Sequence, residues 1–231
     1  MSKLAWDQTG TRFYETGVSK GVLYVQKGAG GYENGVAWNG LTSVSENPDG
    51  AEPNDLYADN TKYASLISAE TFGATIEAYT YPEEFAVCDG SYTPSGATGL
   101  YIGQQPRRAF GFCYRTEVGN DTMTDTDDGY KLHIIYNATA SPSDKSYETI
   151  NDSPDAITFS WEVTTTPVEV GIDGIKPTAT ITIDTTKLTV EGKTNLAALE
   201  AILYGSDSAE PSLPDPKTVI SYITTGAAPT P

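Results

Sequence analysis

The chain carries little of what enzymatic chemistry needs. Its 231 residues include one histidine, His133, and two cysteines, Cys88 and Cys113. A Ser-His-Asp or Cys-His arrangement would have to be built on that histidine, which lies inside the apolar run Tyr130–Ala138. No GxSxG nucleophile elbow accompanies it, and a triad is a geometry of three placed groups. Two cysteines twenty-five positions apart and one histidine do not make a zinc-ligand spacing. Cations are scarce as well: 14 Lys and Arg stand against 31 Asp and Glu, a formal net charge of −17. Such a surface does not attract nucleic acid, whose binding rests on cations that displace its counterions. No run approaches the roughly 18–20 apolar residues of a membrane span. The N-terminal stretch MSKLAWDQTG lacks the apolar region of a secretory signal, so a reducing compartment and two free, apolar-packed thiols are expected. The sequons at Asn120 and Asn137 then carry no message.

Three partial motifs fall short. Gly28–Gly31 follows a strand, but the next residues, YENGVAWNG, have no helical period, so a nucleotide cradle is not expected. The segment from Asp125 to Gly129 suggests a calcium loop, yet its glycine comes one place early and Tyr136 stands where a glutamate belongs. A hairpin turn is expected there instead. Glu77, Glu83 and Glu84 are near each other in sequence, but nothing marks any two of them as a glycosidase pair. No metal, cofactor or catalytic residue is therefore assigned.

What the chain does contain is β signal. Hydrophobic residues make up 38%, with 15 Tyr and 6 Phe, and 22 Gly and 14 Pro are spread along the length as turn punctuation. Strands are expected at Gly21–Gln26, Val36–Ser45, Thr61–Ser68, Phe72–Tyr81, Arg108–Val118, Tyr130–Ala138, Ile157–Thr166, Thr178–Ile183 and Leu188–Glu191. In Arg108–Val118, Phe110, Phe112 and Tyr114 share one face and Cys113 takes the other. A single helical turn is expected at Glu83–Cys88, with Pro82 in its first position. One full helix is expected at Thr194–Tyr204, capped by Thr194 or Asn195 and stopped by Gly205. Residues 1–19 read as a polar arm. Residues 206–231 read as a Pro-rich arm whose apolar insert, Val219–Ile223, could add to a sheet or bind a neighbour. The fold class is mainly β: an antiparallel sandwich or barrel-like domain over residues 1–205, with one packed helix and extended terminal arms.

The stretch Glu46–Asn60 resists a local explanation. It joins two strands by a Pro/Gly/Asn/Asp segment far longer than the usual 2–5 residues of a hairpin connection. The order of features around it, GVAWNGLTSVSENPDGAEPNDLYADNTKYASLISAETFGATIEAYTYPEEFAVCDG, then TFSWEVTTTPV, then LAALEAILYG, resembles the major tail protein, or tail tube protein, of long-tailed phages and prophages of Gram-positive bacteria. That resemblance implies a structural virion protein, assembled in the bacterial host cytoplasm, that stacks hexameric rings into a tube. Its partners would be other copies and other tail proteins, and DNA would pass an acidic lumen without specific binding. At the place of the family's inter-subunit loop stand Glu46, Asn47, Pro48, Asp49, Gly50, Glu52, Pro53, Asn54, Leu56 and Tyr57, with Leu56 and Tyr57 as anchors, so the resemblance implies that Glu46–Asn60 is poorly ordered alone and ordered by a neighbouring subunit. The alternatives are that these two fold back on their own sheet, or that the chain is a carbohydrate-binding or adhesin module gripping sugar with aromatics such as Trp38.

Overall fold

Alternation of apolar and polar residues, with period two, sorts the strand side chains into two separate layers. The computed structural model describes residues 3–28, 30–122, 129–150 and 155–228. Ten strands run in order: β1 Phe13–Val25, β2 Val36–Trp38, β3 Leu41–Glu46, β4 Pro53–Ala58, β5 Thr61–Ile67, β6 Gly73–Ala78, β7 Phe110–Asn120, β8 Gly129–Ala140, β9 Phe159–Thr165 and β10 Thr180–Asp184. Two helices follow, α1 Val190–Leu203 and α2 Pro216–Thr225, and a 3-10 turn occupies Glu83–Val87. Eight strands form one antiparallel sheet in the order β2-β1-β7-β8-β9-β6-β3, with β10 pairing beside β9 on β8. The fold is mainly β, as the turn-punctuated pattern of strands implied.

The sheet is rolled. Its two ends meet where Gly21 of β1 faces Leu41 of β3 so closely that an added Cβ would sit 2.3 Å from Leu41 Cδ1. Inside the roll lie Leu23, Trp38, Ile76, Phe110, Phe112, Ile135 and Trp161, with Phe85 inserted from the 3-10 turn. The rings meet edge to face: Phe85 lies 5.1 Å from Trp161 and 5.4 Å from Phe110, and Trp38 lies 5.5 Å from Trp161. Each such pair adds about 0.5–1.5 kcal/mol to the burial of its rings. Trp38 is buried and donates its indole N–H to Thr80 O at 2.9 Å, so it offers no face to a sugar.

The outer face of β1, β7 and β8 contributes Val22, Tyr24, Cys113, Leu132, Ile134 and Tyr136, which pack under both helices. Cys113 and Phe112 do point to opposite layers, and both cysteines are free and buried. Leu196, Leu199 and Leu203 of α1 fall at helical spacing on this layer. Tyr24 donates to Leu203 O at 2.7 Å. The Arg115 guanidinium pairs with Glu200 and lies 3.9 Å over the Tyr130 ring. The Thr189 side chain caps α1 by accepting from Gly192 N–H, so the helix starts earlier than Thr194, and Leu188–Glu191 is its entry instead of a strand.

Three further expectations change. Residues 13–19 belong to β1; two register shifts on β7 and the positive φ of Gly17 and Lys20 break the period that would have revealed them. The insert Val219–Ile223 is helical: Asp215 caps α2, Pro216 begins it, and Gly226 ends it at φ 73°. In the 3-10 turn, Pro82 is the cap residue with extended backbone and not the first turn residue. Most of the acidic segment 125–129 lies outside the described residues. Among the described residues no group of His, Cys, Asp or Glu side chains could hold a metal ion.

Candidate assembly surfaces

The connection that looked oversized is a second β-hairpin. β3 pairs with β6, and their ladder continues past Glu46 through Asn47 N–H to Gly73 O (2.8 Å) and the reciprocal Asp49–Thr71 pair (2.9 and 2.7 Å). From that stem, β4 and β5 pair only with each other. The strand expected at Thr61–Ser68 is present as β5, Thr61–Ile67, but its partner is β4 and not β3. Asp59 and Asn60 turn the hairpin with φ of 49° and 61°. Two successive left-handed residues are the mark of the tight turn that Asp and Asn tolerate.

This hairpin projects apolar side chains into solvent. Tyr57, Tyr63 and Ile67 are 71%, 77% and 69% exposed, and Leu56 and Leu66 are exposed with them. Leu56 and Tyr57 thus do not fold back on the main sheet. Asp55 binds Lys62 at 2.7 Å and accepts from Ser65 at 2.7 Å, which holds its carboxyl below the usual range. An isolated two-stranded hairpin is marginal in water without packing on a third element.

The remaining residues of the expected loop form the stem. Glu46 ends β3 and accepts from Tyr114 OH at 2.8 Å. Asn47 donates to Thr75 Oγ1 at 3.1 Å, and Pro48 is exposed. Asp49 accepts from Gly50 N–H at 2.8 Å. Gly50, at φ 89°, passes so close to Ala69 O that a Cβ would clash at 2.5 Å. Glu52, Pro53 and Asn54 are exposed at the base.

The main sheet also leaves the start of β1 and the far side of β10 unpaired among the described residues. From Phe13 to Lys20, β1 pairs on one side only, with β7, while β2 begins to pair at Gly21. On the far side, β10 pairs only with β8. Unpaired edges expose rows of N–H and C=O groups ready for another strand.

Between the β1 edge and the hairpin stem lies a polar cluster that sequence reasoning did not single out. The inner aromatic row continues from Phe112 to Tyr114 (5.6 Å, stacked) and on to His133, whose ring is nearly parallel to Tyr114 at 4.7 Å. His133 is only 7% exposed. Its Nε2 lies 3.0 Å from Thr116 Oγ1 and 3.6 Å from Glu15 Oε1; its Nδ1 lies 3.4 Å from both Glu46 Oε1 and Thr182 Oγ1. Burial holds the imidazole below its ordinary pKa, against the pull of Glu46 and Glu15. Lys131 pairs with Glu15, and that bond raises the lysine.

A family model described as phage tail tube protein matches residues 14–202, a span running from the exposed start of β1 almost to the end of α1. No curated protein matches the chain. The family is one of structural phage tail proteins and not an enzyme family, and it implies association with further copies and with other tail proteins. With most of its length in that match, and with a mainly antiparallel β fold, the chain belongs to the phage tail tube protein family and is a structural component of the virion tail.

Proposed function

We propose that copies of this chain close into hexameric rings and that the rings stack into the tube through which the genome leaves the capsid. Residues 1–205 would be the β domain of each copy. Closing a ring and translating it along an axis are both heterologous contacts, each needing two different patches on one molecule. The observation that carries the reading is the β4–β5 hairpin, which exposes five large apolar side chains at the end of a polar stem. Aromatic anchors of this kind dominate interface energies. We assign the contact to Glu46, Asn47, Pro48, Asp49, Gly50, Glu52, Pro53, Asn54, Leu56 and Tyr57, with Tyr63, Leu66 and Ile67 from β5 beside them. The open edges of β1 and β10 supply a second pair of complementary surfaces for lateral closure.

The net charge of −17 supports a conduit that DNA slides through without specific binding, since each wall cation would add a counterion-release attraction. Assembly would take place in the bacterial host cytoplasm, with other tail proteins at the tube ends. Negative-stain microscopy of the concentrated purified protein tests the reading. Rings or tubes are expected; a strictly monomeric particle at every concentration would overturn it.

A further inference from the structure

His133 stands between the two surfaces just assigned, with Glu15 of the open β1 edge on one ring nitrogen and Glu46 of the hairpin stem on the other. We propose that His133 is a proton-operated tie that, when charged, donates one ring N–H to each carboxylate and so fixes the β1 edge and the hairpin stem in a single geometry. This rests on the assembly reading above.

The geometry limits what the cluster can do. The two carboxylates sit on opposite edges of one ring, so they do not converge on a point where a metal could bind. A neutral imidazole has one N–H and one acceptor nitrogen. It can satisfy Glu15 or Glu46 but not both, and the other carboxylate then faces a lone pair; the Thr116 hydroxyl, 3.0 Å from Nε2, already donates to Glu15 and so can only accept from the ring, while the Thr182 hydroxyl lies 3.4 Å from Nδ1. An imidazolium donates on both edges, and charge-assisted bonds to carboxylates are about twice as strong as neutral ones. The parallel Tyr114 ring at 4.7 Å also favours a cation over its face, and Tyr114 OH already donates to Glu46 Oε1.

The groups facing the ring are few: Glu15 from β1, Glu46 from β3, Tyr114 and Thr116 from β7, Thr182 from β10, and Lys131 on β8 itself. Lys131 opposes the charge but is engaged by Glu15, and Asp184 of β10 acts on Lys131 in the same sense. In the free subunit burial keeps the ring neutral at pH 7 and the tie open. Acid, or a neighbour that orders the two carboxylates, closes it.

Because His133 is the only histidine, its imidazole gives a single NMR signal in the full chain. The experiment follows that signal from pH 7.5 to 5 in the free protein, together with the backbone amides of Glu15, Glu46 and Asn47, and measures in parallel the concentration at which tubes form. In wild type the three amides should move with the midpoint of His133, and the critical concentration should fall about tenfold across it, the effect of one charge-assisted bond per copy. In His133→Gln the amides should stay still and the tenfold step should vanish, while Glu15→Gln and Glu46→Gln should each lower the His133 midpoint. Amides that ignore the His133 titration, or an unchanged pH step in His133→Gln, would overturn the tie. If no protein forms tubes at any pH, the assembly reading fails, and the amide titration still decides whether the tie exists.

Discussion

Removing the β4–β5 hairpin should separate folding from assembly. Asp49 and Thr71 are a reciprocally hydrogen-bonded pair, the geometry that flanks a two-residue turn. Residues 50–70 can therefore be replaced by Asn-Gly with the ladder between β3 and β6 kept intact. None of the replaced residues belongs to either buried cluster. The exposed Asp55–Lys62 pair is screened by solvent, so its loss offsets little. Shortening the connection by about three doublings gains on the order of 1–2 kcal/mol of closure entropy, at about 0.6 kcal/mol per doubling. For a chain of this size that raises the thermal midpoint by roughly 2–8 °C. Assembly should respond in the opposite way. One lost aromatic anchor of about 2 kcal/mol weakens a contact about thirtyfold, and the truncation removes several from every copy. Circular dichroism melting and pelleting of tubes read the two effects apart. A thermal midpoint lower by more than about 10 °C would make the hairpin part of the fold, and tubes at the wild-type concentration would remove its role in assembly.

Other perturbations test the fold and its charges. Burial pushes both thiols up to about 12, so Cys88 and Cys113 should react with a thiol reagent at pH 8 only after denaturant is added; prompt labelling of the native chain would contradict their burial. Because the His133 pKa is lowered by folding, the unfolded chain takes up a proton that the free native subunit refuses. Stability of the free subunit should therefore fall as pH drops below about 6.5 and level off below the native pKa. His133→Gln should flatten that segment of a chemical-denaturation pH series, and an unchanged slope would refute the assignment. Arg115→Ala leaves Glu200 without its cation beneath α1 and should cost about 3 kcal/mol by denaturant titration, with a loss under about 0.5 kcal/mol counting against the pair as an anchor.

The strands were legible where one face is buried and the period of two is unbroken. Phe110, Phe112 and Tyr114 against Cys113 is such a case, because both layers of the fold claim opposite sides of β7. The start of β1 was not legible, since bulges interrupt the alternation and its side chains face solvent. In β4–β5 the signal was present as Asp59-Asn60 between Tyr57 and Lys62, but exposure on both faces leaves no hydrophobic pattern to fix a partner. The second helix could have been found from Asp215-Pro216 and Gly226, which bracket Val219, Tyr222 and Ile223, had the Pro and Ser content around it carried less weight. The His133 cluster is a product of rolling: side chains from β1, β3, β7, β8 and β10 meet in it, and no local spacing announces such a meeting.

An electron cryomicroscopy reconstruction of the assembled protein tests the central claim most directly. The account predicts stacked six-fold rings in which Leu56, Tyr57, Tyr63, Leu66 and Ile67 are buried against a neighbouring copy. A tube in which the β4–β5 hairpin stands free in solvent, or a protein that forms no ring at any concentration, would contradict it.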